Sequence, residues 1–339
     1  MANSRRVLLT GFEPFGGNER NISADVVHSL QGMMSLENPW GGETVVVEIE
    51  TDVLSVDEAG SKKTAERVEK GASWDAILHL GLCEQCDVPR LERLARDAID
   101  MRIPDNSGRS IKGGVVYGTG HCGAWVDPSS WPSSFFPSAY TVSNDAGAYL
   151  CNETYHRTMK ALLGQEHTSS FPSPCLFLHL PGSQKMALHE AVSFVSQCLA
   201  FLMFPAPSDT IDVVAGYLPN AAGHYLVSQR PAGDLDEGLW EFPGGKCESG
   251  ERWSSAIERE LLEELDVAVV AHQPMGTWLR QRGDFWFAIY LIRCETSASD
   301  DSINLSAHDA WQRLDPDSPP QLSWAGRDGE MNEFVLDVF

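Results

Sequence analysis

Glu260, Glu263 and Glu264 stand at i, i+3 and i+4 in a segment whose apolar residues Ala256, Ile257, Leu261 and Leu265 recur at helical spacing. Three carboxylates therefore crowd one face of a predicted helix. Each like-charged pair at that spacing costs on the order of 0.2–0.5 kcal/mol in an isolated helix. A cation reverses that sign. Carboxylate oxygens in this number suit a hard divalent ion such as Mg2+, which usually keeps waters and substrate phosphates in its shell. Upstream, an apolar run ends in Pro243-Gly244-Gly245, where glycine frees the backbone to turn, and Glu251 follows in the connecting loop.

The whole stretch, residues 240–267, resembles the Nudix box, G-x5-E-x7-R-E-U-x-E-E-x-G-U. Gly245, Glu251, Arg259, Glu260, Leu261, Glu263, Glu264 and Val267 occupy its positions without a gap. Asp266 stands where the box has glycine; aspartate tolerates a left-handed backbone better than most residues, so the geometry is expected to survive. QRP at 229–231 and LWEFPGGK at 239–246 narrow the resemblance to the MutT-like branch, which hydrolyses nucleoside triphosphates to monophosphate and pyrophosphate. The resemblance implies that Glu260, Glu263 and Glu264 hold Mg2+, with Mn2+ as a substitute. It implies that Glu251 supports them and that Arg259 fastens the cluster by a buried ion pair. Arg230 of the QRP and Asp328 of SWAGRDGE fall to nucleotide binding, Asp328 near where relatives place a base-reading Asn or Asp; an exposed turn aspartate is the other reading. The distal glutamate that MutT-like proteins often carry shortly before a helix aligns with Ala307, with Asp309 nearby as a substitute, so a lower rate is expected.

At 339 residues the chain has room for two cores. Its net charge of −23 is uneven: 24 acidic against 16 basic residues over 1–208, and 24 against 9 over 209–339. Such a surface repels polyanions, which argues against polymeric nucleic acid and anionic membranes as partners; a free nucleotide remains compatible because a local metal reverses the field. The apolar run at 7–9 is too short for a signal peptide, and no run approaches membrane-spanning length. Eight cysteines without a disulfide-like framework read as reduced thiols in a cytoplasmic protein. Cys83 and Cys86 form C-x-x-C, with no second pair to complete a zinc ribbon.

The elements that carry these residues alternate in type. Strands are predicted at 6–10, 45–50 and 74–80, and helices from about Ser23 and over 58–70. The alternation gives a mostly parallel α/β/α sandwich. A last helix at 187–204 and a stiff PAPSD linker at 205–209 end the first domain, 1–204. The second, 210–339, opens with strands at 211–218 and 224–229, then adds two more near 276–280 and 285–293 after the acidic helix, giving an α/β/α domain with a mixed sheet.

The first domain resembles pyroglutamyl peptidase I. LLTGFEPFGG at 8–17, LERLARDAIDMRIPDNSG at 91–108, SNDAGAYLCN at 143–152 and FLHLP at 177–181 match that family's motifs in order, across roughly residues 5–200. The resemblance implies a triad of Cys151 as nucleophile, His179 as base and Glu92 as orienter, with Arg102 near the site. Phe12 and Phe15 match the aromatics that sandwich a pyrrolidone ring, and Asn21 matches the family's following asparagine. A helix is expected from Asp145, which puts Cys151 early in it, where the positive dipole end favours thiolate. One loop departs: where the family has QAGGR, this chain reads Leu82-Cys83-Glu84-Gln85-Cys86, and Leu82 cannot make the hydrogen bonds of a glutamine. Residues 106–140 are rich in Gly, Ser, Pro and Trp where the family has an amphipathic helix.

The expectation is a Mg2+-dependent Nudix pyrophosphohydrolase of a nucleoside triphosphate or related compound. It is fused to a cysteine hydrolase acting on a small amide or N-terminally blocked peptide, and an oligomer is compatible with this. In the alternative, the peptidase is active and the Nudix domain regulates it by binding a nucleotide.

Overall fold

Continuous apolar runs such as VLL at 7–9 and CLFLHL at 175–180 leave a strand no polar face, so both sides must be covered. The computed structural model describes residues 5–165 and 170–338. The chain divides into two units, Met1–His167 with Pro172–Pro207 and Thr168–Phe171 with Ser208–Phe339.

The first unit runs β1 (Arg5–Phe12), α1 (Ile22–Ser29), β2 (Gly32–Glu37), β3 (Thr44–Leu54), α2 (Glu58–Glu69), β4 (Ala76–Cys83), β5 (Arg90–Glu92), a ribbon of β6 (Leu94–Ala95) and β7 (Cys122–Gly123), β8 (Thr141–Ser143), α3 (Leu150–Gly164), β9 (Cys175–Pro181) and α4 (Leu188–Met203). Its main sheet has the order β2-β3-β1-β4-β9-β5-β8. The inner strands β3, β1, β4 and β9 are parallel, while β2 and β5 pair antiparallel with β3 and β9. Side chains alternate between the faces. Val7, Leu9, Leu78, Leu80, Leu178 and Leu180 join one core with residues of α1 and α4. On the other face buried His79 hydrogen-bonds Thr10 of β1 at 2.7 Å and Thr158 of α3 at 3.1 Å, and burial pulls its pKa down to about 3, keeping it neutral. β2 was not foreseen from the sequence: it is an edge strand with Met33 exposed, so its pattern gives no clean alternation. Residues 106–140 contain no α-helix. Trp131 and Phe136 instead stack on Phe201 of α4, at 4.9 and 5.7 Å between ring centroids.

The second unit runs β10 (Ile211–Tyr217), β11 (Tyr225–Gln229), β12 (Trp240–Glu241), β13 (Gly244–Lys246), α5 (Trp253–Leu265), β14 (Val270–Arg282), β15 (Phe285–Glu295), β16 (Ala310–Leu314) and α6 (Asp328–Val338). A mixed sheet of order β13-β10-β15-β14 has β10 and β15 parallel, and a second sheet, β12-β11-β16, is antiparallel. Ala256, Ile257, Leu261 and Leu265 of α5 are all fully buried, and Glu260 and Glu264, on the same side of the helix, are partly covered while Glu263 is exposed. The segment after Ala307 forms the strand β16. No described helix is long and apolar enough to cross a membrane.

Candidate functional site

Each unit assembles one chemically suggestive site. In the first, β5 lies beside the middle of β9, so that Arg90 is level with His179 and Glu92 with Phe177. His179 donates from Nδ1 to Glu92 Oε1 at 2.7 Å, both groups being buried, and its ring also hydrogen-bonds Cys151. Burial pulls the imidazole's pKa down, but the hydrogen bonds and negative charge of Cys151 and Glu92 outweigh it and push it up to about 9. Glu92, His179 and Cys151 are thus brought together.

α3 begins at Leu150, five residues after the expected start. The Asp145 carboxylate accepts the N–H of Gly147 at 2.8 Å and Gly147 has φ +82°, a local turn that competes with helix. The later start puts Cys151 in the first turn, where helical N–H groups lack intrahelical acceptors and no side chain caps them. Gly81 of β4 leaves the thiol room: a Cβ there would come within 3.1 Å of Cys151 Sγ and 2.8 Å of the Phe177 ring.

Phe12 is buried 6.5 Å from the Phe177 ring, and half-buried Phe15 lies 6.3 Å from Tyr149. With Asn21, Val56, Leu82 and Leu150 they line a small cleft at Cys151. Asn21 is the N-cap of α1, its Oδ1 accepting from Ser23 N and Oγ and its Nδ2 donating to Glu13 O. Arg102 is not brought into this set: it is exposed on an irregular segment and pairs with no described residue. Cys83 and Cys86 form a disulfide, correcting the expectation of eight reduced thiols; a turn with Cys86 N–H on Cys83 O brings their Cα atoms to 5.4 Å. The other six cysteines are free.

Sequence reasoning missed two residues here. Arg90 donates from Nε to Glu92 Oε1 at 2.6 Å, sharing the oxygen that orients His179. Its signal was a basic residue two before the glutamate, on the same face of a strand. Gly81 signalled itself only as a glycine interrupting an apolar run.

In the second unit Arg259 makes paired hydrogen bonds to Glu251, both 2.9 Å, and a third to Glu260 at 2.8 Å. The ion pair is partly buried, with side-chain exposures of 25% for Arg259 and 15% for Glu251, where a buried one was expected. Glu264 Oε2 accepts the N–H of Gly244 at 2.9 Å. Burial, with Glu241 and Glu260 nearby, pushes Glu264 up to about 7. A Cβ at Gly245 would lie 2.4 Å from the Glu260 carboxylate, which would have to move aside. Asp266 takes the left-handed position at φ 56°, as foreseen for aspartate there.

At about 100° per residue, Glu260 and Glu264 lie about 40° apart around the helix, whereas Glu263 lies about 60° to the other side. Accordingly Glu263 is exposed while Glu260 and Glu264 face β13, and among the described residues no three acidic, His or Cys groups already converge on one point. The donor chemistry nonetheless fits a divalent cation. The carboxylate oxygens are hard ligands, and the crowding that raises Glu264 is the kind a cation relieves.

Gly244 and Gly245 also border a cavity of about 220 Å3. Asp328, at the start of α6, lies on its wall and is buried rather than exposed in a turn. It accepts the Phe242 N–H at 2.8 Å, and burial pushes its carboxyl up to about 8. Arg230 reaches the same cavity but is engaged by Glu241 and Asp234 at 2.8 and 2.5 Å. Arg280 and Arg282, two apart on β14 and anchored to Asp236, line the cavity and were not foreseen. Asp309 spends Oδ2 on the N–H of Ala232, while the neighbouring His308, also missed, is buried against Glu241 at 3.1 Å.

The sequence profile described as pyroglutamyl peptidase matches residues 5–200, and that described as NUDIX domain matches residues 210–333. A pyrrolidone-carboxylate peptidase of Pyrococcus furiosus is 29% identical over 192 residues, which cover 52% of this chain and 80% of that protein. One from Clavibacter michiganensis is 31% identical, covering 54% and 81%. Among solved structures, the pyrrolidone carboxyl peptidase of Thermococcus litoralis superposes with a TM-score of 0.50 at 22% identity, covering 59% of this chain and 92% of that one.

Proposed function

The chain belongs to the pyroglutamyl peptidase family and carries a NUDIX domain behind it, and on that premise we propose a cytoplasmic two-domain hydrolase joined through residues 205–209. Both families are hydrolases. The second domain is a MutT-like pyrophosphohydrolase of a nucleoside triphosphate or related nucleoside-diphosphate-linked compound. NUDIX domains generally use divalent metal ions, and Glu260, Glu263 and Glu264 would hold Mg2+, which would supply neutralisation of phosphate charge and a more acidic bound water. Arg259 holds Glu251 and Glu260 in place, and Gly244 orients Glu264 through its N–H. Asp328, with Arg280 and Arg282, faces the nucleotide. The observation that carries this reading is that the acidic face of α5 and the Asp328 cavity meet at one pair of glycines. Phosphate and pyrophosphate release from a panel of canonical and oxidised nucleotides tests it. The Glu263→Gln variant should lose at least about a hundredfold in turnover, and equal turnover by both proteins would refute the assignment.

In the first domain Cys151 Sγ attacks the acyl carbon, His179 passes a proton to the leaving group, and Glu92 keeps the imidazole aligned. The free N–H groups in the first turn of α3 receive the developing oxyanion. Water then cleaves the thioester. The alternative reading, an active peptidase regulated by a nucleotide-binding NUDIX domain, draws on one contrast. The Cys151–His179–Glu92 chain is already hydrogen-bonded, whereas the carboxylates of α5 are not yet gathered.

A further inference from the structure

The cleft beside Cys151 is walled almost wholly by hydrocarbon. Phe12, Phe15, Val56, Leu82 and Leu150 supply its apolar side, and the two other polar side chains on it are already engaged elsewhere, the Asn21 amide keeping one N–H and the Tyr149 hydroxyl its acceptor side. The Asn21 oxygen accepts two hydrogen bonds from Ser23 while its nitrogen donates to Glu13 O, and the Tyr149 hydroxyl donates to Pro104 O at 3.3 Å. The Leu82 wall is also held in place. Leu82 lies within β4, paired level with Leu180 of β9, and the loop that follows is tied down five ways. The Cys83–Cys86 disulfide closes it, Lys185 Nζ donates to Glu84 O, Cys86 O and Asp87 Oδ1, and Asn18 donates to Glu84 Oε1 at 2.7 Å.

From this we infer that the acyl subsite takes a small apolar acyl group, a short cyclic or branched hydrocarbon acid in amide, ester or thioester linkage, with Leu82 as a specificity-determining residue. A lactam ring brings an N–H and a C=O that must leave water, and Leu82 can pair with neither, which leaves only the capacity that Asn21 and Tyr149 have not already committed; a hydrocarbon ring of the same size gives up no hydrogen bond on entry. The inference rests on the cysteine-hydrolase reading above and deepens it. In the reaction the Sγ–carbon bond forms as the bond to the leaving group breaks, and the leaving group departs with the His179 proton. Water then releases the free acid and restores the thiol.

Two aldehydes of one ring size separate the readings without requiring turnover. Cyclopentanecarbaldehyde and pyroglutamic aldehyde each add reversibly to a thiol, Sγ bonding to the carbonyl carbon and the proton ending on oxygen. The readout is protection of Cys151 in the full-length protein from iodoacetamide, followed by mass spectrometry. The hydrocarbon aldehyde should protect at a concentration about tenfold or more below that of the lactam, and Leu82→Gln should shift the ratio about tenfold toward the lactam. A fast Cys151 that the lactam protects equally well or better overturns the apolar assignment and leaves the triad standing. A ratio unmoved by Leu82→Gln, in a variant with unchanged circular dichroism, overturns the role of Leu82. A Cys151 that alkylates no faster than the buried cysteines sinks triad and subsite together.

Discussion

Replacing Glu92 with glutamine tests the triad independently of any substrate. The charge of Glu92 and that of Cys151 together lift the His179 pKa from 6.5 to about 9, despite burial that pulls the other way. That gap corresponds to about 3 kcal/mol favouring the imidazolium. Glutamine keeps the shape and an oxygen to receive the Nδ1 proton, but not the charge. Losing one of two comparable attractions should lower the pKa by roughly one to two units. The assay is the imidazole NMR signal of His179 through the neutral to alkaline range, with the pH dependence of Cys151 alkylation as a second readout. Stability follows with a definite sign. Because the folded pKa is raised, the contribution is fully present below the unfolded value of 6.5 and is lost as pH rises through about 9. The wild type should therefore lose thermal stability across that window, and Glu92→Gln should lose less. A His179 titration that is the same in both proteins would refute the electrostatic coupling on which the triad assignment depends.

Other perturbations act on single contacts. Gly81→Ala puts a Cβ 2.8 Å from the Phe177 ring and 3.1 Å from Cys151 Sγ. It should destabilise the first unit by about 1–3 kcal/mol in denaturant titrations and slow Cys151 alkylation. Asp328→Asn keeps a carboxamide oxygen for the Phe242 N–H but cannot ionise. The Asp328 carboxyl is raised from 3.8 to about 8, so the wild type should lose stability as pH rises through that interval. The melting-temperature gain of the variant should then grow from acid to mildly alkaline pH, and a constant difference would show that the carboxyl is not buried as described.

Legibility differed between the two sites for a physical reason. The acidic site is local: a glycine turn and one loop carry Gly245 and Glu251, and one helix carries Arg259, Glu260, Glu263 and Glu264, whose relative angles helical periodicity alone fixes. Even Asp266 could be reasoned through from backbone preference. The triad is non-local, with Glu92, Cys151 and His179 on separate elements that only the sheet order brings together, so nothing but motif order could point to it. Where local reading was pressed further it failed by competition. Asp145 looked like a helix start, but its carboxylate took the Gly147 N–H, and Cys83 and Cys86 were read for the lack of a second cysteine pair rather than from the turn that joins them. Burial was the other blind spot. Asp328 could be weighed as exposed or buried but not decided, and Arg280 and Arg282 gained meaning only once β14 walled a cavity. The residues a sequence hides are thus those whose role is to approach something distant. Gly81 is the sharpest case, since its only visible property is the side chain it lacks, and what that vacancy admits is the thiol on which the first domain's chemistry turns.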